Sequence, residues 1–272
     1  MQSNLRTILS SVGLEMGRVA HAFRQRPSVR ILYYHSVSDL PVRSSVAPEV
    51  FAAHMEHLSR HDYRVLSLTD AVQCLQARSP LPLKSVVLTF DDGFVDNYEQ
   101  AFPILTRYKF PATVFLATSY IGSGCLPTLT RTEFVPQPLT WEQVKEMHAG
   151  GVEFGSHTLT HPMLSQVSPE QVRQEVRDSK CLMEDILGAP VRFFCYPRGD
   201  FSAAVRQTVQ DEGYAAACTI RPGVNDASTD LFTLKRTYMS RRDTLEEFAK
   251  KMTGAYDLLQ LVEYLWRQVR RA

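Results

Sequence analysis

Two short stretches hold the residues with the most chemistry in them. Thr89-Phe90-Asp91-Asp92-Gly93 sets two carboxylates side by side. Like charges that close repel unless a cation joins them or one carboxyl keeps its proton. On a regular strand the two would point to opposite sides, so Gly93 is needed to turn the backbone and let both face one cleft. The second stretch, Gly155-Ser156-His157-Thr158-Leu159-Thr160-His161-Pro162, supplies two imidazoles at i and i+4. That spacing puts both on one side of a helical turn, as two ligands of one metal require. An isolated Asp-Asp-Gly is better read as a turn with a helix cap, and an isolated His pair as polar surface. Together they make a 2-His-1-carboxylate set suited to a divalent transition metal. One carboxylate is left over to serve as base toward an attacking water.

Each stretch directly follows a short strand-like run, and such runs recur along the chain. Residues 30–34, 85–90, 112–116, 152–154, 191–196, 214–219 and 232–236 read as strands, several of them continuous apolar runs suited to burial on both faces. Helix signals fall between them. Ser168-Pro169-Glu170-Gln171 and Thr140-Trp141-Glu142-Gln143 are capping boxes, Gly188 ends the helix that Ser168 opens, and residues 202–212 make another helix closed by Gly213. Val172, Val176, Ser179, Met183 and Ile186 keep one face of the Ser168 helix at helical spacing. Strands alternating with helices imply a parallel sheet. Seven of them suit a single-domain α/β fold, a closed (β/α) barrel, whose active site lies at the C-terminal strand ends. His54, His57 and His61 also recur at helical spacing and read as a solvated helix face. Residues 119–138 form the longest irregular stretch, and a loop of that length tends to be functional or disordered.

Thr89-Phe-Asp-Asp-Gly93 and Ser156-His-Thr-Leu-Thr-His161 resemble the first two signature motifs of the polysaccharide deacetylases, carbohydrate esterase family 4. Phe194-Cys-Tyr-Pro-Arg-Gly199 resembles the third, and Tyr33-Tyr-His35, Leu139-Thr-Trp-Glu142 and Tyr214 extend the likeness from about Ile31 to Phe248. The resemblance implies a distorted (β/α) barrel with about seven parallel strands, and hydrolysis of an N-acetyl group on a hexosamine of a polysaccharide, oligosaccharide or glycolipid precursor. It implies Asp91 as base, and Asp92, His157 and His161 as ligands of one divalent metal, with zinc expected and cobalt, nickel or manganese as alternatives. Arg198 matches the residue before the motif glycine, whose backbone N–H helps stabilise the oxyanion. Two features depart from the family. Phe194 and Cys195 stand where an arginine normally holds the catalytic aspartate, and Arg236, at the end of a late strand, is the candidate replacement. No histidine follows His161, so the usual C-terminal histidine motif is missing. His35, ending the first apolar run, resembles a subgroup with this strand placed before the first motif, and becomes the candidate general acid.

The 272 residues carry 30 basic and 29 acidic side chains, a balance that gives no reason to expect a nucleic-acid partner. With 44% hydrophobic and 22% charged residues the composition is that of a globular protein with a sizeable core. The expected partner is an N-acetylated hexosamine-containing saccharide. Five scattered cysteines without a Cys-x-x-Cys pair argue against a disulfide framework. Residues 1–29 read as an amphipathic helical segment, 30–254 as the catalytic domain and 255–272 as a basic amphipathic helix with Leu258, Leu261, Val262, Leu265, Trp266 and Val269 on one face. No secretory signal is legible near Met1. The expectation is a cytoplasmic protein, with peripheral association at the inner membrane face through the terminal helices. Two other functions compete. One is an inactive carbohydrate-binding homologue, suggested by the two departures. The other is a 2-His-1-carboxylate iron oxygenase, whose usual jelly-roll scaffold does not alternate strands with helices.

Overall fold

The computed structural model describes residues 27–123 and 137–257. Seven parallel strands follow one another round a nearly closed sheet: β1 (Val29–Tyr34), β5 (Ser85–Asp92), β6 (Thr113–Leu116), β7 (Glu153–Ser156), β8 (Phe193–Cys195), β9 (Ala216–Cys218) and β10 (Arg236–Tyr238). Their spatial order is β10-β1-β5-β6-β7-β8-β9, so the first strand lies between the last and β5. A bridge from Cys218 to Leu234 brings the chain just before β10 against β9. Three two-residue strands escape sequence reading: β2 (Ser36–Val37) and β3 (Ser45–Val46), which pair together, and β4 (Arg64–Val65), which pairs with the start of β5. The expected strand at 232–236 is corrected. Leu231–Thr233 forms a 3-10 turn, capped by the Asp230 side chain, and the strand begins at Arg236.

The helices are α1 (Pro48–Arg60), α2 (Leu68–Gln76), α3 (Phe102–Tyr108), α4 (Trp141–Ala149), α5 (Pro169–Leu187), α6 (Ala203–Asp211) and α7 (Leu245–Met252). Both capping boxes form as read: the Thr140 and Ser168 side chains take the backbone N–H of Gln143 and Gln171, and each glutamine returns the bond. Gly188 ends α5 in the left-handed conformation. The His54–His61 reading needs correcting. His54 is fully buried, with Nδ1 3.2 Å from Tyr34 Oη and Nε2 3.0 Å from the Asp243 carbonyl, because α1 packs that face on β1 and α7. The 119–138 loop lies mostly outside the described residues, as do the terminal segments 1–26 and 258–272. Among the described residues no helix is long and apolar enough to cross a membrane.

Strand parity sorts the core into two layers. Leu32, Tyr34, Leu88, Phe90, Val114, Leu116 and Phe194 join the cluster beneath the outer helices. Ile31, Val87, Phe115, Phe193, Cys195, Ala216, Cys218 and Leu234 join the second, inner cluster, where Leu68, Ala71, Val72 and Leu75 of α2 also pack. Side chains alternate along a strand, so residues two apart share a face. Continuing these inner rows along each strand brings His35, Asp91, His157 and Arg236 to inward-facing positions. Asp92 falls on the other parity.

Candidate active site

Asp92 escapes its parity by adopting a left-handed backbone, φ +76°, followed by Gly93 at the same value. Gly93 alone does not make the turn; a non-glycine residue shares the strain. Three more non-glycine residues nearby take positive φ: Thr158 (+71°), His161 (+58°) and Arg198 (+55°). Such conformations cost of order 1–3 kcal/mol each and persist only where surrounding bonds dictate them. Those bonds are visible. Thr158 N–H donates to Ser156 Oγ at 3.1 Å, His161 N–H to Thr158 Oγ1 at 2.9 Å, and Leu159 and Thr160 N–H both donate to Glu175 Oε2 on α5 at 2.9 and 2.7 Å. The two histidines therefore meet through a pinned irregular loop, not on a helical turn, and their ring centroids lie 4.8 Å apart. That corrects the physical basis of the i, i+4 reading while keeping its outcome.

Asp92 Oδ1 lies 3.5 Å from His157 Nε2 and 3.6 Å from His161 Nε2. This oxygen is buried and has no hydrogen-bond partner. His157 Nδ1 sits 2.7 Å from the Cys195 carbonyl, which can only accept, so Nδ1 carries the proton and Nε2 presents a lone pair. Burial lowers the pKa of both imidazoles, His161 to about 3, and keeps them neutral. Burial, then the neighbouring Asp91, pushes Asp92 well above the usual carboxylate range. Three potential ligand atoms thus converge within 4.8 Å of one another, and the raised Asp92 pKa marks a buried site short of positive charge. Such a donor set fits a divalent cation, which would supply the missing positive charge.

Asp91 is held differently. Arg236 grips it with two hydrogen bonds of 2.7 Å, Nη1 to Oδ1 and Nη2 to Oδ2. The guanidinium also donates to the Thr219 carbonyl at 2.9 Å and to Thr89 Oγ1 at 3.2 Å, and lies 4.3 Å from the centre of the Tyr33 ring. Cys195 Sγ is 3.0 Å from Nη2 and 3.8 Å from both Asp91 oxygens. Burial raises the Asp91 pKa, but Arg236 overrides it and holds the carboxyl well below the usual range. The Arg236 side chain has no exposed surface, while Arg198 is exposed in the turn after β8, where its charge acts on Asp92 and His161.

His35 follows β1 directly, beside β10 as a permuted strand order requires. Its half-buried ring sits 5.8 Å from the Tyr33 ring and 5.9 Å, edge-on, from that of Tyr238. Burial is the chief cause lowering its pKa to about 4, opposed by Asp91. The structure thus gathers Asp91, Asp92, His157, His161 and Arg236, with His35 and Arg198 at the edge. Glu175, Thr89 and the Cys195 carbonyl were not found from sequence. No spacing marks them, because each acts across the fold.

A parallel barrel whose C-terminal mouth sets a carboxylate and two imidazoles beside an arginine-held second carboxylate is the architecture of a barrel hydrolase. The family model described as polysaccharide deacetylase matches residues 78–217, and the chain belongs to that family, whose members are hydrolases acting on amide bonds. YxkH of Bacillus subtilis, named for polysaccharide deacetylase activity, is 31% identical over 210 residues, 77% of this chain and 71% of that protein. The poly-beta-1,6-N-acetyl-D-glucosamine N-deacetylase of Escherichia coli K12 is 25% identical over 260 residues, and the match covers 80% of this chain but 38% of that longer protein. Among solved structures, the Streptococcus pyogenes deacetylase PplD, in complex with acetate, superposes with a TM-score of 0.74 at 28% identity, covering 83% of this chain and 98% of that one. Fold and family together remove the iron-oxygenase alternative.

Proposed function

We propose that the protein removes the N-acetyl group from N-acetylated hexosamine units of a polysaccharide, with one divalent metal held by Asp92, His157 and His161. The carrying observation is the pairing of two unlike carboxylates: Asp92, orphaned among neutral imidazoles, and Asp91, kept ionised by Arg236. When bound, the metal supplies Lewis-acid polarisation of the amide carbonyl and lowers the pKa of the attacking water. Asp91 takes the proton from that water through a lone pair the guanidinium leaves open, since a carboxylate has about four acceptor sites. Arg236 fixes the direction of that lone pair. The backbone N–H of Arg198 is assigned to the oxyanion side. His35 rests neutral. Negative charge building in the tetrahedral intermediate raises its pKa, as Asp91 already does, so the proton that Asp91 took from the water passes to His35 and leaves with the amine, which restores both residues.

The substrate class rests on the relatives named as poly-beta-1,6-N-acetyl-D-glucosamine N-deacetylases, one in Escherichia coli and one in Staphylococcus epidermidis. The test is acetate and free-amine release from β-1,6-linked N-acetylglucosamine oligomers and from chitooligosaccharides. It is run with purified protein before and after chelation and after metal is restored. Matched acetate and amine, lost on chelation and recovered with metal, are expected. Binding of the oligomers with no acetate from any of them would instead establish an inactive carbohydrate-binding homologue.

A further inference from the structure

Among the described residues the His35 imidazole has no hydrogen bond to hold it; its Nδ1 is buried without a partner. Its position must come from the main chain on either side and from the Tyr33 and Tyr238 rings. On the preceding side the chain is fixed by β1, whose last residue Tyr34 is in register with Phe90 of β5. On the following side the chain leaves the barrel into the two-residue β2, too short to fix anything by itself. Two buried side chains do that work. Asn97 Nδ2 donates to the His35 carbonyl at 2.8 Å and to Asp96 Oδ1 at 3.0 Å. Asp96 in turn accepts from Ser36 Oγ at 2.5 Å and from the Val37 N–H at 3.0 Å. Three consecutive residues, 35 to 37, are thereby held by two side chains that are 6% and 1% exposed.

We propose that Asp96 and Asn97 are positioning residues for the proton-delivery step, acting through the main chain at His35; this rests on the reading of His35 given above. Asp96 and Asn97 lie four to six residues beyond Asp91 and Asp92 on one stretch of chain that turns at Gly93 and enters a π-helical turn at Asn97–Ala101. One segment therefore carries the base, a candidate metal ligand and the clamp on the acid. The separation between the water side and the leaving-group side of the pocket is set within it. Misplacing a reacting group by about an ångström can cost about a hundredfold in rate.

The clamp is opened without changing volume by Asn97→Asp, which replaces the donor to the His35 carbonyl with a carboxylate oxygen, and by Asp96→Asn, which removes one acceptor. Each variant, His35→Ala and the His35→Ala/Asn97→Asp double variant are assayed on an N-acetylhexosamine oligomer and on an activated aryl acetate, whose leaving group needs no proton. Bound metal is measured in each. Both clamp variants are expected to keep their metal and turn over the aryl acetate nearly normally. On the oligomer kcat should fall about a hundredfold with KM little changed, and the double variant should lose no more than His35→Ala alone. Equal losses on both substrates, or loss of metal, would show a merely structural role and overturn the proposal. So would a clamp effect that adds in full to that of His35→Ala. His35→Ala damaging both substrates alike would overturn the His35 assignment itself, and the clamp with it.

Discussion

At the scale of single residues, the pocket turns on Arg236, which was legible only as a candidate. The family's arginine is missing from the third motif, and a late-strand arginine was the available substitute, but 145 residues separate it from Asp91. The inner parity of β10 supplies what spacing could not. A buried, bidentate pair of this kind is costly to break, because removing one partner leaves the other charge uncompensated. Arg236→Met should therefore destabilise the protein by about 3–5 kcal/mol in denaturant titrations. Arg236→Lys keeps the charge but not the fork or the contact with Tyr33, so it should recover stability better than turnover. Unfolding midpoints equal to wild type for Arg236→Met would show that Asp91 finds another partner or takes a proton. Asp91→Asn separates base from ligand. It should keep stoichiometric metal while kcat falls about a hundred- to ten-thousand-fold. If metal is lost instead, the two aspartates have exchanged roles. The candidate set of Asp92, His157 and His161 was legible as a cluster, since its three residues sit in two short motifs. The supporting roles of Thr89, Cys195, Asp96, Asn97 and Glu175 were not legible, because a side chain that supports another across the barrel leaves no local signature of doing so.

At the scale of elements, the strand and helix signals that were read are ones a local rule decides. The helices α2, α3 and α7 went unread, although Ser67 and Thr244 cap two of them. The capping boxes at Thr140 and Ser168 and the glycine stop at Gly188 are satisfied by atoms within one turn. Reading failed where tertiary contacts decide: at β2, β3 and β4, two residues each, and at 231–233, where the Asp230 cap favours a 3-10 turn over a strand. The His157–His161 loop is the most instructive case, because the spacing was right and the inferred helical turn was not. Its approach strand, β7, makes a testable demand. A Cβ on Gly155 would lie 2.6 Å from two atoms of the Phe115 ring and 2.9 Å from the Phe193 carbonyl, so strands β6, β7 and β8 pack too closely there for any side chain. The Phe115 ring cannot retreat freely, since the Arg236 guanidinium lies 5.7 Å from its centre on the inner face. Gly155→Ala should cost about 1–3 kcal/mol of stability by overpacking. It should also weaken metal affinity by shifting His157, two residues on. A variant with unchanged metal affinity and stability would mean that β7 slides enough to absorb a methyl group.

At the scale of the whole molecule, the barrel's packing makes stability depend on pH through buried groups outside the candidate metal site. His54 shows this most cleanly. It joins β1, α1 and α7: its ring stacks on Phe248 at 4.1 Å, Tyr34 Oη meets Nδ1, and Nε2 faces the Asp243 carbonyl. Burial is the main cause lowering its pKa from an ordinary 6.5 to about 4; the Asp243 carbonyl and carboxylate oppose this, while Lys251 and His57 reinforce it. The folded state therefore prefers neutral His54, whereas the unfolded chain takes a proton near pH 6.5. The sign follows: the contribution is complete above pH 6.5, is lost as pH falls toward 4, and changes no further below that. A displacement of this size corresponds to about 3 kcal/mol across the window. Asp96 works in the opposite sense over part of the same range, because burial raises its carboxyl to about 6 and its contribution is greatest at low pH. The net curve of the wild type is thus a poor test, and the difference from His54→Gln is a good one. Glutamine can still donate to Asp243 and accept from Tyr34 but cannot titrate. Measured by denaturant unfolding of the metal-free protein, the stability advantage of wild type over His54→Gln should shrink by about 3 kcal/mol between pH 7 and pH 4. The metal-free form is used so that ligand protonation and metal release do not enter. A gap that stays constant with pH would show that His54 binds protons equally in both states, and that the acid sensitivity of the barrel resides in its other buried groups.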